Sequence, residues 1–283
     1  MSVTVPTSLD SALRALSDTP SALVVAGGTD VMVELNGGHR AAADVVVVNR
    51  VAELRTWRHD PANDSLFIGA GVTYAEIAAE PIATWVPALA QAARTVGSPQ
   101  IRHAATIGGN IGTCSPAGDG LPVLCALEAT VHLASVDGNR SVPFAEFMVG
   151  PKRTVRQPGE LITGVTVPVL RGWQGYSKVG VRNAMVIATA SAALVTDAAQ
   201  GTVRLALGSV GPVILRCPEA EAFAAAEADF AAGRVSAAAV QRFGELARAA
   251  SRPIDDHRSS AAYRRHAVGV LAGRLLRRAF PNE

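Results

Sequence analysis

The chain is poor in cysteine, in aromatic residues and in long apolar runs. Of its 283 residues, three are cysteines (Cys114, Cys125 and Cys217), and none lies in a CxxC pair. That spacing excludes a disulfide framework, a structural zinc site and a self-contained iron–sulfur cluster. Aromatics make up 5% of the chain; apolar residues make up 49%, and much of that apolar count is alanine, which points to a core of close-packed small side chains. The net charge of +2 is too small to argue for nucleic acid or an anionic membrane. The longest apolar runs, such as Ala22–Ala26 and Val45–Val48, fall far short of the roughly 20 residues a membrane span needs. The opening residues, MSVTVPTSLDSALRAL, show no basic segment leading into an apolar one and so no secretory signal. The expectation is a reduced cytoplasmic protein with no membrane span and no nucleic-acid partner.

What is present reads as an α+β chain with a composition shift near residue 170. Thr7-Ser8-Leu9-Asp10 fits a helix start. Leu23–Ala26, Val45–Val48 and Ser65–Ala70 read as short buried strands, and Thr73–Ala79, Pro87–Val96 and Leu121–Leu127 as helices. Val131–Ser135 and Ser141–Pro143 flank the turn Asp137-Gly138-Asn139 as a hairpin, and Gly159–Pro168 forms a further strand. Beyond 170, Tyr176–Lys178, Ala188–Thr196 and Val203–Gly208 read as three antiparallel strands, followed from about 218 by alanine-rich helices.

Two glycine segments stand out. In LVVAGGTD (23–30) a strand leads through Gly27-Gly28 into a helix, and glycine there lets the main chain take positive φ and approach a ligand closely. Main-chain N–H groups of such a turn and helix start point at an anion, most often phosphate. TIGGN (106–110) repeats the double glycine between hydrogen-bonding Thr106 and Asn110, within the glycine- and proline-rich run TIGGNIGTCSPAGDGLP. Together the two could hold a dinucleotide pyrophosphate from two sides, or each could be only a tight turn. Asp119 could accept from a ribose hydroxyl or a flavin ring N–H, or cap the helix from Leu121. The nearest approach to a Rossmann fingerprint, Gly69-Ala70-Gly71-Val72-Thr73-Tyr74, places Tyr74 where the third glycine belongs and reads as a strand end and turn.

Six stretches occur in order: AGGTD (26–30), GSPQIRHAATIGGNIGTCSPAGD (97–119), VGPKRT (149–154), PGELITGVTVP (158–168), YSKVGVRNAMVIA (176–188) and DDHRSSAAYRRH (255–266). Together they resemble the FAD-binding (medium) subunits of the molybdenum hydroxylases, of the xanthine dehydrogenase and carbon monoxide dehydrogenase type. The resemblance covers nearly the whole chain. It implies a two-lobed α+β FAD domain of the vanillyl-alcohol oxidase-like type over 1–170, with lobes of about 1–56 and 57–170. A C-terminal domain over 171–283 follows, with a three-stranded antiparallel sheet and helices. It places Val24, Val25, Ala26, Gly27, Gly28, Thr29 and Asp30, and Thr106, Ile107, Gly108, Gly109 and Asn110, on FAD. It adds Asp119 at the ribityl or ring part, Ile162 against the cofactor and Lys178 near it, and no catalytic side chain or metal ligand. The partners implied are a small subunit with two 2Fe-2S clusters and a large molybdopterin subunit, in a dimer of heterotrimers. The role implied is electron transfer from those clusters through FAD to NAD+, oxygen or another acceptor. The chain departs from some relatives in carrying aliphatic Val96 where they have a large aromatic, and RNAMVIA where the carbon monoxide dehydrogenase type has an aromatic by the ring.

A stand-alone FAD-dependent oxidoreductase acting on a small molecule is the alternative; it would draw its acid–base group from His103, Lys152 or Lys178. A non-catalytic binding protein is a third reading, against which the intact glycine segments and Asp119 argue. Of the remaining candidates, Lys152-Arg153 reads as a solvated pair, Cys114 as a buried small residue, and Arg102 as a loop anchor. Asp255-Asp256-His257-Arg258 reads as a helix-start loop tied by salt bridges. The basic terminal helix with Arg264, Arg265, Arg274, Arg277 and Arg278 reads as a solvated face or a subunit contact.

Overall fold

A computed structural model describes residues 2–39 and 41–282. The first five elements are β1 (Ser2–Thr4), α1 (Leu9–Asp18), β2 (Leu23–Val25), α2 (Val31–Asn36) and β3 (Asp44–Val47). Their strands form a parallel sheet in the order β1-β3-β2. Ser8 starts α1 through a capping box with Ser11, and α1 turns Ala12 and Leu16 into the core.

A second layer is an antiparallel sheet of five strands: β4 (Trp57–Asp60), β5 (Ser65–Gly69), β6 (Thr130–Ser135), β7 (Gly138–Pro143) and β10 (Leu161–Pro168). The order β4-β5-β10-β6-β7 places the late strand β10 at its centre. Six short helices run between β5 and β6: α3 (Tyr74–Ile77), α4 (Ile82–Trp85), α5 (Pro87–Thr95), α6 (Pro99–Ala104), α7 (Ile107–Thr113) and α8 (Gly120–Ala126). Between β7 and β10 lie α9 (Phe144–Phe147) and the small pair β8 (Met148–Gly150) and β9 (Arg153–Thr154). One core joins both sheets, with Ala12 and Leu16 of α1 in the same cluster as Leu133 of β6 and Val165 of β10.

The last part contains β11 (Gln174–Val179), β12 (Ala190–Asp197), β13 (Thr202–Gly208), β14 (Leu215–Arg216), α10 (Pro218–Glu227), α11 (Ala237–Ala250) and α12 (Ala261–Ala279). The sheet expected to have three strands has four, because Leu215 and Arg216 pair with Leu207 and Ala206. Two residues bounded by a proline-containing turn and by Pro218 carry too little pattern to read as a strand. Every residue of β12 is buried, with α12 packed on it and α8 also against it. The small side chains Ala190, Ala192 and Ala193 make that two-sided packing possible. The Gln91 side-chain oxygen on α5 accepts from the Tyr176 N–H at 2.9 Å and so ties β11 to the helices above the second sheet.

Arg264 is a correction to the expected solvated basic face. It is 2% exposed; Nη1 donates to the carbonyls of Thr189 (2.7 Å) and Ser209 (3.0 Å), and Nη2 to Asp256 (2.7 Å). Its spacing from Ala267, Val268 and Leu271 puts it on the buried stripe of α12, while Arg265, Arg274, Arg277 and Arg278 are exposed. The Asp255–Arg258 loop is held by ion pairs as expected: Asp256 meets Arg258 and Arg264, each at 2.7 Å. Burial opposes the charge on Asp256, yet these partners outweigh it and hold the carboxyl well below the usual range.

Candidate functional site

A cavity of about 900 Å³ opens where the end of β2, the helices α6 and α7, and the start of β10 meet. That is at the upper end of the size of small-molecule sites. Val24 through Asp30 all line it. Gly28 has φ +72°, the left-handed conformation that glycine adopts freely. Gly27 is required for a different reason: a Cβ there would sit 1.8 Å from the carbonyl oxygen of Ala104, at the end of α6. The N–H groups of Gly27, Gly28, Thr29 and Asp30 have no partner among the described residues. Four consecutive free donors beside a cavity suit an anionic group such as a pyrophosphate.

The second double glycine is not a turn. Thr106 caps α7, its Oγ1 accepting from the Gly109 N–H at 3.0 Å, so Gly108 and Gly109 lie in the first helical turn. The donors here are already used: Ile107 N–H goes to Val72 O (3.0 Å), Gly108 to Ala70 O (2.9 Å) and Asn110 to Thr106 O (3.0 Å). Gly108 must be glycine because a Cβ would lie 2.4 Å from the Ala70 Cβ. Gly109 would meet only Thr106 Oγ1, at 3.1 Å, and so presents a smooth face to the cavity. Thr106, Gly108, Gly109 and Asn110 line the cavity, whereas Ile107 is fully buried beneath it. Tyr74 donates its hydroxyl to Asn110 Oδ1 at 2.6 Å, which leaves the Asn110 amide nitrogen as donor. Gly118 and Gly120 are needed around this pair: their Cβ atoms would lie 2.8 Å from Asn110 Nδ2 and 2.6 Å from the Tyr74 hydroxyl. The bare backbone of the glycine-rich run thus lets helix, strand end and side chains approach one another.

Asp119 lines the cavity but makes no capping bond to α8. Its Oδ2 accepts from Lys178 Nζ at 2.6 Å and its Oδ1 from the Tyr176 hydroxyl at 2.8 Å. Burial pushes the Asp119 carboxyl up, and the Lys178 charge with these hydrogen bonds pulls against it. Burial, then the Asp119 charge, raises the Tyr176 hydroxyl well above its usual range. Lys178 does not line the cavity; it stands behind Asp119 and also donates to the carbonyls of Thr95 (2.9 Å) and Val186 (3.0 Å). It therefore pins Asp119, the end of α5 and the strap at 180–187 to one another. Ile162 lines the cavity from β10, beside a register shift in the ladder to β6.

Several lining residues are not among the cofactor contacts that the resemblance implies. Met185, Val186 and Ile187 of the strap line the cavity, Met185 at φ +51° with its carbonyl held by Arg182. Arg156 and Glu160, in the loop before β10, also line it. Val96 and His103 face the cavity, and Arg102 anchors the bend between α5 and α6 by donating to the carbonyls of Val96 and Gly97. Lys152 is ion-paired with Glu34 rather than solvated alone. Cys114 is buried in a left-handed conformation, and burial pushes its thiol up to about 12, so it stays protonated at neutral pH. A dinucleotide fits these residues: free donors at Gly27–Asp30, a glycine face at Gly109 and donors on Thr106 and Asn110.

Residues 1–170 match the family described as the FAD binding domain in molybdopterin dehydrogenase, and residues 176–279 match the CO dehydrogenase flavoprotein C-terminal domain. The chain is 33% identical to the glyceraldehyde dehydrogenase medium chain of Sulfolobus acidocaldarius, over 93% of this chain and 92% of that one. It is 32% identical to a putative xanthine dehydrogenase FAD-binding subunit of Escherichia coli, over 75% of each chain. Its fold matches a chain in the structure of carbon monoxide dehydrogenase from Hydrogenophaga pseudoflava with a TM-score of 0.89 at 28% identity, covering 99% of this chain and 97% of that one.

Proposed function

The chain belongs to the family of FAD-binding subunits of molybdopterin dehydrogenases, and from that premise we propose that it is the electron-transfer flavoprotein of such a complex. Its FAD would take electrons from the 2Fe-2S clusters of a small partner subunit and pass them to NAD+, oxygen or another acceptor. Substrate would be oxidised on a large molybdopterin subunit, in a cytoplasmic dimer of heterotrimers. In this reading residues 1–170 form the FAD domain, of the vanillyl-alcohol oxidase-like type, and 171–283 the C-terminal domain.

The observation that carries the proposal is the row of free N–H donors at Gly27–Asp30 opening into a cavity of about 900 Å³. When bound, FAD supplies the redox chemistry. The chain's own task is to hold and orient it. The Gly27–Asp30 donors take the pyrophosphate, with Thr106 and Asn110 adding side-chain donors. Asp119, fixed by Lys178 and Tyr176, meets the ribityl or ring part, and Ile162 packs against the cofactor. Of the three acid–base candidates for a stand-alone oxidoreductase, Lys178 is bonded to Asp119 and Lys152 is paired with Glu34 outside the cavity, and His103 is the one that lines it.

The test is turnover of purines and aldehydes by the purified chain, alone and combined with its two partner subunits. The expected result is no substrate oxidation by the chain alone and reduction of its flavin only in the complex. Oxidation by the chain alone at enzyme-like rates overturns the proposal in favour of the stand-alone enzyme.

A further inference from the structure

Of the charged side chains on the cavity wall, Arg156 is a half-buried cation that the contacts above do not use. Arg156 lies between β9 and β10, and its guanidinium has a single partner, the main-chain carbonyl of Glu160, to which Nη1 donates at 2.7 Å. The Glu160 carboxylate does not serve it. Arg140 takes that carboxylate with Nε at 2.5 Å and Nη2 at 2.8 Å, and the Gln157 N–H takes it at 2.6 Å. Arg156 is thus a half-buried cation with no carboxylate bond of its own, and its Nε and Nη2 have no partner among the described residues.

Its place along the cavity follows from the chain. The turn after Arg156 packs near the end of α1: a Cβ on Gly159 would lie 3.8 Å from the Leu16 carbonyl oxygen. Residues from Pro20 to Leu23, which follow α1 and lead into β2, line the cavity too, whereas the free donors Gly27–Asp30 come after β2. Arg156 therefore stands at the end where β2 begins. Asp119 and the strap belong to another part, linked through Lys178. The strap residues Met185 and Ile187 are 54% and 59% exposed. A ring that must exchange electrons with molecules outside the chain belongs by that exposed strap. The adenosine half then falls on the Arg156 end, where aliphatic Leu23 also lines the wall.

We propose that Arg156 binds the adenosine half of the dinucleotide by laying its guanidinium plane on the adenine ring. The inference rests on the FAD reading above. A guanidinium is planar and weakly hydrated, and it can lie flat on an aromatic face, which a compact, strongly hydrated ammonium cannot.

The test is titration of the flavin-free full chain with FAD and, separately, with FMN, which lacks the adenosine half, followed by flavin fluorescence. Apo-protein unfolding midpoints are compared in parallel. Arg156→Ala is expected to weaken FAD binding about tenfold or more while leaving FMN binding within about twofold, as loss of one base-stacking contact predicts. Arg156→Lys, which keeps the charge but not the plane, is expected to behave like the alanine variant. Unchanged FAD affinity in Arg156→Ala, equal losses for FAD and FMN, or full rescue by lysine would each overturn the proposal. Failure of the wild-type chain to bind either flavin would instead overturn the FAD reading itself, and the proposal with it.

Discussion

Taking away the Lys178 ammonium would leave the Asp119 carboxylate 8% exposed, with only hydroxyl donors. Breaking a buried pair from one side costs about 3–5 kcal/mol, because the remaining charge is uncompensated. Lys178→Met is therefore expected to destabilise the apo-chain by about that amount in urea unfolding, and Asp119→Asn in the same chain to recover part of the loss. A cost below about 1 kcal/mol with no coupling between the two changes would show that the pair does not hold the site. Both residues stood out in the sequence, but each as a direct neighbour of a cofactor. That they bond each other across 59 residues is a product of the fold. Arg156 gave no signal, since it lies in a loop where no periodicity applies. Arg264 did give one: it shares its helical stripe with Ala267, Val268 and Leu271, and its charge drew the reading towards the surface.

Among the elements, β2 with its glycine turn was legible because a short apolar run ends in Gly27-Gly28 before a helix. α7 was not, because IGGNIGT holds three glycines and glycine disfavours helix by about 1 kcal/mol per residue. Close packing on Ala70 and the Thr106 cap override that preference. The two glycine segments should therefore respond differently to alanine. Gly27→Ala drives a Cβ into the Ala104 carbonyl and is expected to lower both the unfolding midpoint of the apo-chain and its FAD affinity. Gly109→Ala faces the cavity, so FAD affinity should fall while apo stability changes by less than about 1 kcal/mol, helped by alanine's helix propensity. Equal behaviour of the two variants in thermal unfolding and flavin titration would contradict this division.

For the whole molecule, the alternation of strands and helices, the hairpin at 130–143 and the strand at 159–168 were readable from apolar patterning and turn residues. The order of the five-stranded sheet was not, because β10 inserts between β5 and β6 from far along the chain. The cavity depends on that insertion: it brings Ile162 and the Arg156 loop alongside β2 and the helices that carry Thr106–Asn110 and Asp119. If the proposed function holds, this assembled cavity binds FAD within the single chain. The most direct measurement is the absorbance spectrum of the chain purified alone, followed by acid release and identification of the chromophore. Oxidised-flavin bands and intact FAD, about one per chain and bound without a covalent link, are the expected result. A colourless chain that also fails to take up added FAD would contradict it.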